Sequence, residues 1–272
     1  VNPGDEVIIP QPSYVCYEPI TRLAGGVPVI IDTKAENDFK LTKEELLSAI
    51  TDKTKALILP YPCNPTGAIM EREDLERIAE VLRDKEIIVI SDEIYAELTF
   101  GGTKHVSIAS IDGMKERTIL INGFSKAFSM TGWRLGWLVG PADVIEKLLL
   151  LHAAILASVP TFIQDAGVTA LSVSPREMAQ VYARRRAFVC KRLTEMGLTF
   201  PEPKGAFYAF PDISRFGLSD EEFCTRLITE GGVATVPGSC FGTPGHIRIS
   251  YCCSDAALAE GMNRLERFLQ TL

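Results

Sequence analysis

The chain has 272 residues and a net charge of −7, with 46% hydrophobic and 23% charged residues. That composition is globular, excludes a disordered chain, and gives one large domain or two unequal ones whose core needs no disulfide or metal staple. The acidic balance argues against a nucleic-acid platform. In chain order, β-branched apolar runs predict strands over 6–10, 27–31, 55–59, 86–90, 118–121 and 135–139. They are nearly continuous in apolar character, as strands covered on both faces are. Between them, Thr42-Lys43-Glu44-Glu45 opens a helix with a capping box. Over 71–83, Leu75, Ile78, Ala79 and Leu82 fall at helical spacing. Such alternation predicts an α/β fold, a mostly parallel sheet sandwiched by helices. After Pro141 the spacing predicts helices over 142–157 and 175–196. Strands over 206–210, 233–236 and 246–250 and helices over 219–230 and 255–269 then make a smaller C-terminal α+β domain. The expected division is 1–174 for the large domain and 175–272 for a linking helix and the small domain.

The longest apolar run, 148–159, is broken by His152 and Ser158 and is too short to span a bilayer. No basic stretch followed by an apolar run marks the start as a leader. The seven cysteines are odd in number and form no C-x-x-C pair, and the three histidines, His105, His152 and His246, match no metal spacing. A cytoplasmic protein with reduced thiols, no metal and no membrane or nucleic-acid partner is expected.

Three predicted strands run into polar clusters, at the edge where open α/β sheets bind ligands. These are Pro60-Tyr61-Pro62-Cys63-Asn64-Pro65-Thr66-Gly67, Ser91-Asp92-Glu93-Ile94-Tyr95 and Asn122-Gly123-Phe124-Ser125-Lys126. Taken singly they read as a turn, a helix cap and a solvated lysine. Together they bring an amide, an acid, a phenol and an amine to one edge, with Arg134 eight residues beyond Lys126. Pyridoxal phosphate needs such a set: an amine for its aldehyde, a carboxylate for its ring nitrogen, donors for its phenolic oxygen, and hydroxyls and a cation for its phosphate.

The segments Pro-Cys-Asn-Pro-Thr-Gly, Ser-Asp-Glu-Ile-Tyr and Gly-Phe-Ser-Lys-Ala-Phe-Ser-Met-Thr-Gly-Trp-Arg-Leu-Gly strongly resemble the class I/II aminotransferases, the aspartate-aminotransferase-like fold type I enzymes. The resemblance runs over essentially the whole chain, in order. It implies a pyridoxal-phosphate-dependent aminotransferase moving an amino group from an L-amino acid to a 2-oxo acid by a ping-pong mechanism. By that resemblance Lys126 bonds the cofactor's aldehyde and shuttles the α-proton, and Asp92 pairs with the ring nitrogen. Asn64 and Tyr95 donate to the phenolic oxygen, and Tyr14 stacks on the ring. Ser125 and Arg134 hold the phosphate, and Arg248, with Asn64 beside it, binds the substrate α-carboxylate. Tyr95 counts with Lys126 and Asp92 among the catalytic residues. Phe207 and Tyr208 read as small-domain core, with Gly205 small enough to let backbone approach the substrate pocket. Many relatives carry Ser at the position of Gly123, so one phosphate donor is expected to be missing. The resemblance begins partway into the family's large domain, so its N-terminal phosphate loop, first strand and substrate-covering segment are expected to be absent. A homodimer is implied, and the texture is closest to bacterial members acting on aspartate, aromatic amino acids or acylated diaminopimelate. A carbon–sulfur β-lyase and a non-catalytic ligand-sensing domain are the alternative readings.

Overall fold

The computed structural model describes residues 1–272. Its first half builds one six-stranded sheet from β1 (Glu6–Gln11), β2 (Val27–Asp32), β3 (Thr54–Leu59), β4 (Ile88–Asp92), β5 (Thr118–Gly123) and β6 (Gly136–Val139), in the order β2-β1-β3-β4-β5-β6. The first five strands are parallel, and β6 is antiparallel to β5. Parallel neighbours need long crossovers, which here carry α1 (Tyr17–Leu23), α2 (Lys43–Ala49) and α3 (Arg72–Leu82). Ile8, Leu57, Leu59 and Val89 of the sheet pack with Leu46 of α2 and Leu75, Ile78 and Leu82 of α3 in one buried cluster. The capping box that opens α2 is present, with Thr42 Oγ1 accepting from the Glu45 N–H and Glu45 Oε2 accepting from the Thr42 N–H.

The chain continues through α4 (Phe124–Ala127), α5 (Ala142–Leu156), α6 (Thr161–Ala170) and the long α7 (Arg176–Glu195). A three-stranded antiparallel sheet follows, made of β7 (Tyr208–Ala209), β8 (Val236–Pro237) and β9 (Ile247–Ser250) in the order β7-β9-β8, with α8 (Asp220–Gly231) and α9 (Asp255–Leu269). A second buried cluster joins α7, α8, α9 and this sheet, and it reaches back to Tyr95, Leu98 and Phe100 after β4.

The predicted elements recur with local differences. β4 begins at Ile88 and extends through Ser91 and Asp92, because the ladder to β5 runs on to Asp92 opposite Ile121. Polarity suggests an end at 90, but Asp92 lines a cavity and Ser91, on the opposite face, is buried against Glu93, so both stay polar without leaving the sheet. The strand predicted over 206–210 shrinks to Tyr208–Ala209, since Ala206 turns the chain with φ +57°. That predicted over 233–236 becomes Val236–Pro237. α1, α4 and α6 were not anticipated.

Candidate active site

The carboxyl ends of β3, β4 and β5 deliver the site to one edge of the large sheet. Beyond β3 the chain turns through Pro60 and Pro62 to Asn64. β4 ends in Asp92 itself, and the turn after it presents Tyr95. β5 passes into α4, which carries Ser125 and Lys126, and Arg134 follows one turn later. β9 contributes Arg248 from the small sheet, and the loop between β1 and α1 contributes Tyr14. All eight residues anticipated from sequence line one cavity of about 430 Å³. That volume lies within the range of cofactor pockets. Tyr17, Thr131 and Tyr208 line it as well.

Two neutral donors hold the Asp92 carboxylate. The Tyr17 hydroxyl donates to Oδ2 at 2.8 Å and the Ile94 N–H to Oδ1 at 3.2 Å. Burial pushes its pKa above the usual carboxylate range and Glu93 adds to the rise, while the two hydrogen bonds and Lys126 oppose it. A carboxylate in that position gains from any cation brought against it. Burial also pushes the Lys126 amine below the ordinary lysine value; the positive charges of Arg134 and Arg248 add to that, and Cys252 and Asp92 oppose it. Its Nζ stands 5.7 Å from the Tyr95 ring centroid and 5.6 Å from that of Phe207. A lysine so placed is more often neutral near pH 7 than a surface lysine, and a neutral amine is both nucleophile and base.

Arg248 is held on several sides. Its Nη1 donates to Asn64 Oδ1 at 2.8 Å, and its guanidinium lies 4.5 Å from the Tyr208 ring centroid and 4.9 Å from that of Phe241. Its Nε is buried with no hydrogen-bond partner. Because Asn64 spends its carbonyl oxygen on Arg248, its amide NH₂ is the group left to face a ring oxygen. Arg134 is exposed and takes φ +52°, with Nη1 donating to the Thr131 carbonyl at 2.9 Å. Tyr14 is 45% exposed and packs edge-on to Tyr17, ring centroids 5.7 Å apart.

Two sequence readings change here, and a third gains a physical cause. Tyr208, read as core, is buried but also lines the cavity, and its hydroxyl lies 3.0 Å from that of Tyr95. Gly205 meets the cavity wall rather than the cavity, since a Cβ there would lie 2.6 Å from Pro62 Cβ and 3.0 Å from Ile69 Cγ2. Gly123 has a packing reason: a Cβ would lie 2.9 Å from Gly136 Cα and 3.0 Å from the Leu135 carbonyl on the adjacent strand. A serine there would push β6 away. Behind Asp92, Glu93 is buried among the hydroxyls of Ser91 and Ser107 and the His105 ring, at 3.0, 2.6 and 2.6 Å. This network anchors the turn that presents Asp92 and Tyr95. Neither it nor the Tyr17 contact was legible in the sequence.

A family model described as aminotransferase class I and II matches residues 1–265. The chain belongs to this family. Similar proteins include an aspartate aminotransferase of Pyrococcus abyssi, 48% identical over 274 residues that cover 98% of this chain and 70% of that one. A probable N-acetyl-LL-diaminopimelate aminotransferase of Bacillus subtilis is 43% identical, with 99% of this chain and 69% of that one covered. Among solved structures, an aromatic aminotransferase from Pyrococcus horikoshii superposes with a TM-score of 0.97 at 46% identity, over 100% of this chain and 74% of that one. The fold is therefore that of the fold type I aminotransferases, a pyridoxal-phosphate-dependent family of amino-group transferases. The residues of the cavity fit that cofactor in kind. A buried carboxylate whose partners are neutral suits a protonated ring nitrogen, a half-buried lysine of lowered basicity suits an aldehyde, and an unpartnered guanidinium N–H suits a carboxylate.

Proposed function

We propose that this aminotransferase binds pyridoxal phosphate in the cavity at the end of β3, β4 and β5, and moves an amino group from an L-amino acid to a 2-oxo acid. The observation that carries the reading is the convergence of Lys126, Asp92 and Arg248, from three distant segments, on that one cavity. The cofactor, when bound, supplies the electron sink that makes an amino-acid α-proton removable. The chain's residues do the rest. Lys126 would hold the cofactor by its aldehyde, and its amine would take and return the substrate α-proton, a role typically worth about 10²–10⁴-fold. Asp92 keeps the ring nitrogen protonated, helped by Tyr17. Asn64 and Tyr95 donate to the phenolic oxygen, and Tyr14 covers the ring. Ser125 and Arg134 hold the phosphate. Arg248 grips the substrate carboxylate with a planar fork that a lysine cannot reproduce.

The same reading carries a division into a large unit, 1–174, and a small one, 175–272, with Arg248 and Tyr208 brought to the site by the second. It also carries a homodimer and a cytoplasmic setting. β6 and α5 have no buried residue, and Trp137, Val139, Leu150, Ile155 and, on α6, Phe162 are exposed apolar side chains that a second copy could cover. All seven cysteines are free thiols, as a reducing compartment favours. The test is an absorbance spectrum of the chain with pyridoxal phosphate, followed by a panel of amino acids. A visible band that responds to particular amino acids and is missing in Lys126→Ala supports the proposal; a Lys126→Ala chain that turns over overturns it.

A further inference from the structure

Tyr208 occupies a position that the roles above do not use. In the small sheet it stands opposite Ser250 of β9, which puts it diagonal to Arg248 on the same face, within reach of a long side chain. Its ring lies 4.5 Å from the Arg248 guanidinium carbon, and its hydroxyl 3.0 Å from the Tyr95 hydroxyl on the large-sheet side. Filling the core requires neither contact, and a phenylalanine would fill the same space. We propose that Tyr208 is a positioning residue that ties the two ends of the site together: its ring carries the Arg248 guanidinium, and its hydroxyl donates to Tyr95 so that the Tyr95 proton is aimed into the cavity. The inference rests on the reading of Arg248 as carboxylate clamp and Tyr95 as donor to the cofactor's phenolic oxygen.

Either hydroxyl of the pair can be the donor. With Tyr208 donating, Tyr95 is left with its own proton for a third group, and a phenol that accepts a hydrogen bond is a better donor in turn. Burial raises both phenols above the ordinary tyrosine value, although Arg248 opposes the rise in each, so both keep their protons at working pH. The ring and the hydroxyl of Tyr208 thus do separable jobs, and substitutions can divide them.

Tyr208→Phe keeps the ring and deletes the hydroxyl. In the pyridoxal-phosphate-loaded chain, weaker donation to the phenolic oxygen leaves the conjugated cofactor more basic, so the pH midpoint of the visible band rises. On a Tyr95→Phe background the same substitution moves the midpoint no further. In the cofactor-free chain, succinate titrated against backbone amide resonances binds Tyr208→Phe as it binds the unaltered protein. Tyr208→Leu, which removes the ring, weakens succinate about 2- to 30-fold, the range a cation–π contact supports. An unshifted midpoint in Tyr208→Phe, an equal shift on the Tyr95→Phe background, or undiminished succinate binding in Tyr208→Leu overturns the inference. A chain that forms no visible band at all instead overturns the cofactor reading, and the succinate arm still judges the Arg248 contact.

Discussion

Removing the hydroxyl of Tyr17 tests how Asp92 is kept charged. Tyr17→Phe keeps the ring and its edge contact with Tyr14 but deletes the 2.8 Å donation to Asp92 Oδ2, leaving the Ile94 N–H as the remaining donor. A hydrogen bond to a charged group is worth about 1.5–3 kcal/mol, and one between neutral groups about 0.5–1.5 kcal/mol. The loss therefore depends on whether Asp92 is ionised. Burial already raises the folded-state pKa of Asp92, so the folded chain holds that proton more tightly than the unfolded chain does. Above the unfolded carboxylate value, about 3.9, this residue's contribution to stability falls as pH rises, until the folded carboxyl has ionised as well. Without the Tyr17 donor the folded value rises further and the fall extends to higher pH. Urea unfolding of the cofactor-free chain at pH 5 and pH 8 reads the difference. Tyr17→Phe should cost about 1.5–3 kcal/mol at pH 8 and less at pH 5. A penalty equal at both pH values, or larger at pH 5, would mean that Tyr17 does not support the charge on Asp92.

Other outcomes follow from the same geometry. Arg248→Lys loses the fork and the Asn64 contact, so the KM for amino acids should rise roughly 10- to 100-fold, with a smaller change in kcat. Gly205→Ala forces a Cβ to within 2.6 Å of Pro62 and should destabilise the chain in urea by about 1–3 kcal/mol. Unchanged stability would mean that the Pro62 loop yields freely. Thr42→Ala, which removes the cap of α2 far from the site, should cost about 1 kcal/mol and leave the spectrum with pyridoxal phosphate untouched.

What the sequence reveals and what it hides divides along the range of the interactions. Asn64 and Lys126 each follow a strand and Asp92 ends one, and a strand end in a parallel sheet is a local signal that also fixes where the residue lies in the fold. Arg134 and Ser125 come with Lys126 in one short segment. Tyr17 and Tyr208 escaped because their partners, Asp92 and Tyr95, lie 75 and 113 residues away, and no local pattern marks such contacts. Gly123 shows the limit from the other side. A missing hydroxyl is visible in the sequence, but the strand packed against it at Gly136 is a property of the sheet. The end of β4 was misplaced for a related reason, since Ser91 and Asp92 pair in the ladder, with Asp92 lining the cavity and Ser91 bonded to the buried Glu93. α6 begins directly after Pro160, and neither its apolar pattern nor its burial is strong.

The central claim is that Lys126 is the amine on which the cofactor is held. Its most direct test is to load the chain with pyridoxal phosphate, reduce with borohydride, and locate the modified lysine by peptide mass spectrometry. The account predicts the reduced cofactor on Lys126, formed at substoichiometric pyridoxal phosphate ahead of every surface lysine, because its basicity is lowered and Asp92, Asn64 and Arg134 surround it. Modification spread over surface lysines, with Lys126 unlabelled, would contradict it.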